Sequence, residues 1–387
     1  MPVLVPPVLV SADSVRLNFM STSGFPRRTG IANLPLHGGK APRWLFSRMV
    51  RLARETTIAI VTNFGPEEML QRLSHPYWFQ AFGCILGFDW HSSGVTTTLC
   101  AALKEGIKGL ESDLGLFVAG GKGRTSRRTP AEIENWGGRI LVDPEPLVYA
   151  SRMSAKVDSS AVQDGYQLYH HTFLFTRGGS WAVVQQGMNE ATRYARRYHW
   201  LGEAVASFVN EPHSAVLSQA RGKALNLVAA ESEPARSTIA EVASREKPED
   251  TLKSLKKIKT LDLPSRHYLS TDDLHPDSLS RILVSTYERQ PGNFEELLGL
   301  QGVGAKTIRA LSLISELVYG VAPSYRDPAR YSFAHGGKDG IPYPVDRDTY
   351  DQSIELLSRA INRSRLGMAE KKETLSRLDR VRSARTA

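Results

Sequence analysis

The side chains best suited to bond-breaking chemistry are the amine of Lys306, in GVGAKT, and the carboxylate of Asp346, in PYPVDRDTY. A desolvated lysine amine can act as a nucleophile and form a Schiff base. A carboxylate can stabilise a developing positive charge or activate the nucleophile. The pair could act together, provided that both side chains face one cleft.

Two glycines stand just before this lysine, with one valine between them. In LLGLQGVGAKTIRAL, Gly302 and Gly304 predict backbone that needs a positive φ or close approach by another group. Successive amide groups, followed by Lys306 and Thr307 at the positive end of a helix, predict a site for phosphate oxygens. The alternative is a plain helical hairpin whose glycines allow tight packing.

Two helices must position this hairpin. Asn293 is the expected N-cap of the first, and Glu296 stands in the capping-box position three residues later, which predicts a short helix from about 294 to 299. The second helix should run from about 305 to 319, because apolar residues recur along one side of it.

The pattern of short helix, glycine hairpin and Lys-Thr helix start is similar to the helix-hairpin-helix DNA-binding motif. The order of Lys306 and Asp346 also resembles helix-hairpin-helix DNA glycosylases, and this resemblance implies N-glycosylase or abasic-site lyase activity in DNA repair. One departure concerns spacing: 40 positions separate the two residues, about twice the family's interval, because SYRDPARYSFAHGGKDGI is inserted. The resemblance implies Lys306 and Asp346 as catalytic residues.

The inserted stretch has features of its own. FAHGGKDGIPYPVDRDTYD combines acidic and basic side chains with glycines that allow close approach, which favours a substrate loop beside the hairpin. Lys338 in this loop is a candidate DNA contact. A structural turn is the alternative.

Two stretches in the first half of the chain suit a polynucleotide. GGKGRTSRR places four cations on a Gly-rich loop, a composition typical of phosphate binding: Lys122, Arg124, Arg127 and Arg128. RYARRYHW interleaves Arg196 and Arg197 with aromatic residues, as single-strand binders require. An amphipathic helix with its aromatics in a core is the alternative for the second stretch.

A metal-dependent nuclease is the main rival to the lyase. A hairpin with Asp164 on or before one strand and Gln185 or Gln186 on the next faintly resembles restriction-type nucleases, in which carboxylates hold Mg²⁺. Here glutamine replaces the second acid and the usual lysine is missing. Hydrogen-bonded core histidines are the structural alternative. The candidate ligands for Mg²⁺ or another divalent metal are Asp89, His91, Asp164 and His170.

Several motifs together resemble a prokaryotic family of unknown function over nearly the whole chain: LPLHGGKAP, DWHSSG, QQGMN and FAHGGKDGIPYPVD. That resemblance implies no activity, so function depends on the chemistry of the residues. A non-catalytic DNA-binding protein is the third hypothesis.

Composition limits the partners and the compartment. The chain has 387 residues and a formal net charge of +9, which favours polyanionic partners such as double- or single-stranded DNA. Its two cysteines, Cys84 and Cys100, cannot ligate an iron–sulfur cluster and fit a reducing cytoplasm. No stretch is long and apolar enough to predict a membrane span, and the sequence leaves the oligomeric state open.

The fold predicted from these patterns is α+β: a mixed α/β domain followed by an all-helical helix-hairpin-helix domain. Strands are expected in ETTIAIVTNF, DLGLFVAGG and GRILVDPEP, a β-hairpin over 164 to 188, and helices from Asn189 onward. The expected divisions are a mixed domain at 1–200, a helical connector with a charged linker at 201–260, the helix-hairpin-helix domain at 261–362 and a basic helix or tail at 363–387.

Overall fold

The computed structural model describes residues 41–88, 93–218, 222–261 and 276–329, with a few positions between 362 and 376. These residues combine helices with antiparallel sheets, which confirms a mixed α+β composition. None of the helices that the structure describes is long and apolar enough to cross a membrane.

Four helices open the described chain. α2 and α3 each begin with proline, whose fixed φ suits the first helical position. The predicted strand ETTIAIVTNF is wrong, because this stretch lies inside α1. Its buried residues, among them Leu52, Thr56 and Ile60, recur at helical spacing, and that burial outweighs the strand preference of threonine and isoleucine. The bounds are α1 Arg43–Phe64, α2 Pro66–Ser74, α3 Pro76–Ile85 and α4 Gly94–Gly106.

A five-stranded antiparallel sheet forms the centre, in the order β1-β3-β4-β5-β6. The predicted hairpin is confirmed by β3 and β4, which the turn at residues 177–180 joins. A second, three-stranded sheet has the order β2-β7-β8. The bounds are β1 Leu116–Lys122, β2 Val162–Gln163, β3 Gln167–Thr176, β4 Trp181–Asn189, β5 Tyr194–Leu201, β6 Ala215–Leu217, β7 Lys223–Asn226 and β8 Ser324–Arg326.

Two predictions about strands and helices near this sheet are wrong. RYARRYHW is strand β5 instead of a helix, since it pairs with β4 on one side and β6 on the other. The following stretch, HSAVLSQARGKALNLVAAESE, contributes β6 and β7. GRILVDPEP contains no strand; it passes from a single 3₁₀ turn into the start of α7.

The two faces of the large sheet bury different helices. Leu174 and Val184 on one face share a core with α1 to α4. Phe173, Val183 and Trp200 on the other face belong to a core that continues into the later helices. Those helices are α5 Glu111–Leu114, α6 Thr129–Asn135, α7 Pro144–Lys156, α8 Glu233–Arg245, α9 Pro248–Ile258, α10 Pro276–Arg289, α11 Phe294–Gly299 and α12 Ala305–Leu317.

The charged linker expected within residues 201–260 is folded into this second core. It forms α8 and α9, which bury Ile239, Leu255 and Ile258. Large apolar residues are few there, but helical spacing places them on one side, where they pack against α10 and α12.

Candidate functional site

The strand register brings several of the sequence motifs to one end of the large sheet. Lys122 at the end of β1 lies opposite His170 near the start of β3, His170 lies opposite Gln186 in β4, and Gln186 lies opposite Arg197 in β5. We call these four residues the polar row. GGKGR, YHH, QQGMN and ARRYHW therefore converge, although they are far apart in the sequence.

Three members of the polar row are enclosed. His170, Gln186 and Arg197 are at most 1 % exposed. Gln186 accepts a hydrogen bond from the Thr96 hydroxyl at 2.5 Å, donates to the Ser93 carbonyl at 2.9 Å, and also contacts the Tyr169 hydroxyl. Its amide is therefore engaged inside the protein instead of being presented to a metal.

The two arginines predicted to contact DNA are buried, which corrects that prediction. Arg197 donates to Thr96 at 3.2 Å and to Gln80 at 3.0 Å, and its guanidinium lies 4.5 Å from the Phe79 ring centre. Burial lowers the pKa of Arg197 to about 9. Arg196 is 1 % exposed. Since neither guanidinium reaches the surface, neither can bind an external phosphate.

Arg196 instead joins two buried carboxylates. It donates to Asp164 and to Asp327, each at 2.8 Å. Asp164 also accepts from the Tyr198 hydroxyl at 2.7 Å and from the Tyr166 amide at 3.1 Å. Burial raises the pKa of Asp164, although Arg196 opposes that rise.

These contacts bear on the predicted metal ligands. The Asp164 carboxylate is engaged by Arg196 and Tyr198, and His170 makes a 3.0 Å hydrogen bond to Thr172. Across the described ranges, no three His, Cys, Asp or Glu side chains are grouped so that they could hold a metal ion. Asp89 and His91 lie outside the described residues.

The Gly-rich stretch 122–128, which we call the basic loop, leaves the polar row as a 3₁₀ helix, Gly123–Arg128. Its base is fixed because Glu132 accepts hydrogen bonds from the Gly120 amide at 2.8 Å and from Lys104 at 2.6 Å. None of its cations pairs with a carboxylate of the described residues. All four predicted DNA contacts here are exposed: Lys122, Arg124, Arg127 and Arg128.

The glycine pair forms a short hairpin between α11 and α12, which we call the glycine hairpin (residues 300–304). Asn293 caps α11, as predicted, by accepting a hydrogen bond from the Glu296 amide at 2.9 Å. The Glu296 carboxylate accepts from the Gly292 amide at 2.8 Å and from the side-chain amide of Asn293 at 2.8 Å. α12 ends at Leu317, two residues before the predicted end.

The two glycines have different reasons to be glycine. Gly302 has φ +89°, a conformation that side chains of L residues rarely adopt. Gly304 has φ −144°, which any residue adopts, and a Cβ atom there would meet no atom within 4 Å. Neither its conformation nor its neighbours inside the protein explain Gly304.

The glycine hairpin is held from the protein side. Lys156 at the end of α7 donates to the Leu300 carbonyl at 3.3 Å and also to the Val303 carbonyl, and burial lowers the pKa of Lys156. Gln163 donates to the Ala305 carbonyl at 2.9 Å. Because these three carbonyls point towards Lys156 and Gln163 inside the protein, the opposite side of the hairpin faces solvent.

Of the residues predicted around α12, Lys306 is exposed and Thr307 is 2 % exposed. The Thr307 hydroxyl is therefore not presented to an external partner. Asp346 and Lys338 lie outside the described residues. The prediction that Lys306 and Asp346 face one cleft stays a prediction.

No sequence motif indicated the buried hydrogen-bond network around Asp158. The carboxylate contacts His213 Nε2 at 2.5 Å, Gln185 Nε2 at 2.6 Å and Trp200 Nε1 at 3.0 Å. Gln185 also contacts His171 Nδ1 at 2.8 Å. Asp158 lies in a π-helical turn, Val157–Ala161, which the residue types alone do not reveal. Because the carboxylate is fully buried, the network ties α7 to the sheet instead of facing a ligand.

Comparison with known proteins adds a family and no activity. A family model described as "Protein of unknown function (DUF763)" matches residues 30–345. No curated protein and no solved structure gave a match. The matched region includes the polar row, the basic loop and the glycine hairpin.

Proposed function

The chain belongs to the DUF763 family of proteins of unknown function, and we propose that it is a DNA-binding protein whose glycine hairpin grips the phosphate backbone in the helix-hairpin-helix manner. The observation that carries this proposal is Gly304. Its extended backbone tolerates any residue and the space beside it is open. A glycine at that position is explained if another molecule must approach the backbone there.

The surroundings of Gly304 suit an anion. The amides from Gly304 to Lys306 lie at the start of a 13-residue helix, where no preceding carbonyl of the helix accepts their hydrogen bonds. The positive end of the helix dipole lies at the same point, and exposed Lys306 adds a full charge. Contacts of this kind hold phosphate oxygens without selecting a base sequence.

The basic loop supports the same partner. It presents four exposed cations on a fixed base, in a chain with a net charge of +9. Binding to a polyanion releases counterions, so the affinity should fall steeply with salt.

The choice among the three hypotheses rests on Lys306. A Schiff-base nucleophile needs a desolvated amine, whereas the side chain of Lys306 is exposed. The proposal therefore gives Lys306 the role of a phosphate ligand. Glycosylase or lyase activity is a separate hypothesis, which is tested with the same protein variants. The engagement of Asp164 by Arg196 gives the nuclease hypothesis no support.

The test is DNA binding by fluorescence anisotropy over a range of salt concentrations, with duplex and single-stranded DNA. Lys306→Ala should make the fall of log K with log salt shallower by about 1 in slope, because one phosphate contact is lost. Gly304→Val should weaken binding about tenfold by blocking the hairpin amides.

Two control variants match these changes. Lys108→Ala also removes one exposed positive charge, and Gly138→Val also adds a side chain to a glycine with open space beside it. Both controls should bind like wild type. Equal losses of DNA affinity in the controls, or wild-type binding by Gly304→Val, would reject the hairpin as the DNA-binding site.

Borohydride trapping on abasic DNA, lost in Lys306→Ala, would add lyase chemistry, and EDTA-sensitive cleavage would favour the nuclease.

A further inference from the structure

A groove of about 490 Å³ opens at the end of the large sheet opposite the polar row. Its walls include Trp181, the first residue of β4, and Phe208, in the loop that follows β5. Tyr149 and Ala150 of α7 form another side. The volume is within the range of small-molecule sites.

The aromatic walls are rigidly built. Trp181 lies between Phe173, at 5.7 Å between ring centres and 18° between planes, and Phe208, at 5.9 Å and 1°. Gly202 lets Trp181 lie directly on the backbone, since a Cβ atom at Gly202 would be 2.6 Å from the indole. Tyr149 stands nearly perpendicular to Phe208, at 86° and 5.6 Å.

The polar groups of the groove are acidic. Asp143 and Glu145 line it, and the hydroxyl of Tyr149 donates to Glu295 at 2.7 Å. None of the residues lining the groove is Lys or Arg. In a chain with a net charge of +9, this is a local reversal of sign.

We propose that this groove binds an organic ammonium cation that carries apolar substituents, such as a quaternary amine. The carboxylates of Asp143 and Glu145 neutralise its charge, and the aromatic and apolar walls contact its substituents. A nucleotide fits the rings less well, because its phosphate would meet those two carboxylates. The proposal is independent of DNA binding and concerns the opposite end of the sheet.

The probe is choline, and the comparison is 3,3-dimethylbutan-1-ol, which has the same shape without the charge. Binding is followed by the indole NMR signal of Trp181, assigned among the six tryptophans with the Trp181→Phe variant. Choline should bind about two- to fivefold more tightly than the neutral alcohol, because it can pair with the exposed carboxylates. A short peptide that carries trimethyl-lysine is tested beside choline. Tighter binding of the peptide would identify a side chain of a partner protein as the ligand, and tighter binding of choline would identify a free amine.

The double variant Asp143→Asn/Glu145→Gln removes both charges and keeps the shape of the groove. Asparagine retains the cap that Asp143 provides to α7 by accepting from the Glu145 amide. Choline should then bind about as weakly as the alcohol, while Glu134→Gln, on exposed α6 surface, should leave choline binding unchanged. Equal affinity of choline and the alcohol for the wild type, no response of Trp181 to choline, or binding of adenosine monophosphate in its place would overturn the proposal.

Discussion

At the scale of single residues, the polar row keeps its histidine neutral. His170 is 1 % exposed, and its Nδ1 atom finds no hydrogen-bond partner among the described residues. Burial lowers its pKa to about 3, and His171 and Lys122 add to that effect. The folded protein therefore keeps the His170 imidazole uncharged within the polar row, whereas in the unfolded chain the same imidazole can bind a proton.

This neutral histidine should make stability depend on pH. Above the ordinary histidine pKa, His170 is neutral in both the folded and the unfolded chain. Below it the unfolded chain binds a proton that the folded chain refuses, so the free energy of unfolding should fall by about 1.4 kcal/mol per pH unit on this account, from about pH 6.5 towards pH 3. Urea unfolding of His170→Gln should show a slope flatter by that amount between pH 5.5 and 4.5.

The glutamine amide of the variant can still reach Thr172. The free energies of unfolding of the two proteins at pH 8 serve as the reference. At that pH neither state of the wild type carries a proton on His170, and any difference between the two proteins there reports packing alone. If wild type and His170→Gln lose stability equally between pH 5.5 and 4.5, His170 is protonated in the folded protein.

At the scale of elements, the sequence predicted those parts whose pattern has a local cause. The β3–β4 hairpin followed from apolar runs around a Gly-rich turn, and α11 followed from Asn293 and Glu296 at its start. β5 could not be predicted in this way, because Arg196 and Arg197 point inward on opposite faces and remove the alternation of polar and apolar residues. Only the partners of those arginines, distant in sequence, reveal that they are buried.

Arg196 also joins three elements. It extends from β5 to Asp164, which precedes β3, and to Asp327, which follows β8. Arg196→Met should lower the free energy of unfolding by about 3–5 kcal/mol, because two buried carboxylates lose their cation. Urea unfolding measures the loss.

Arg326→Met is the matched control for this change. Arg326 pairs with Glu231 at 3.4 Å, where the two side chains are 76 % and 44 % exposed, so its loss should cost less than about 1 kcal/mol. Adding Asp164→Asn and Asp327→Asn to Arg196→Met should restore part of the stability. Equal losses in the two arginine variants would mean that the Arg196 cluster is hydrated.

At the scale of the whole molecule, the backbone path between the basic loop and the glycine hairpin is short. Gln163 donates to Ala305 beside the hairpin, and His170, seven residues later, pairs with Lys122 at the start of the basic loop. Seven residues span at most about 25 Å, which is less than one turn of a DNA duplex. A short duplex is therefore long enough to reach both elements.

If both elements hold the same DNA, their contributions to the salt dependence should add. On duplex DNA, log K should fall less steeply with log salt for Arg124→Ala/Arg127→Ala/Arg128→Ala, by up to about 2.7 in slope. Adding Lys306→Ala should reduce the steepness by about 0.9 more. The charge-matched control is Lys253→Ala/Lys256→Ala/Lys257→Ala, on the exposed side of α9. A similar loss in that control would mean that binding follows net charge instead of a defined surface. No loss in the basic-loop variant, with the effect of Lys306→Ala intact, would confine the DNA contact to the glycine hairpin.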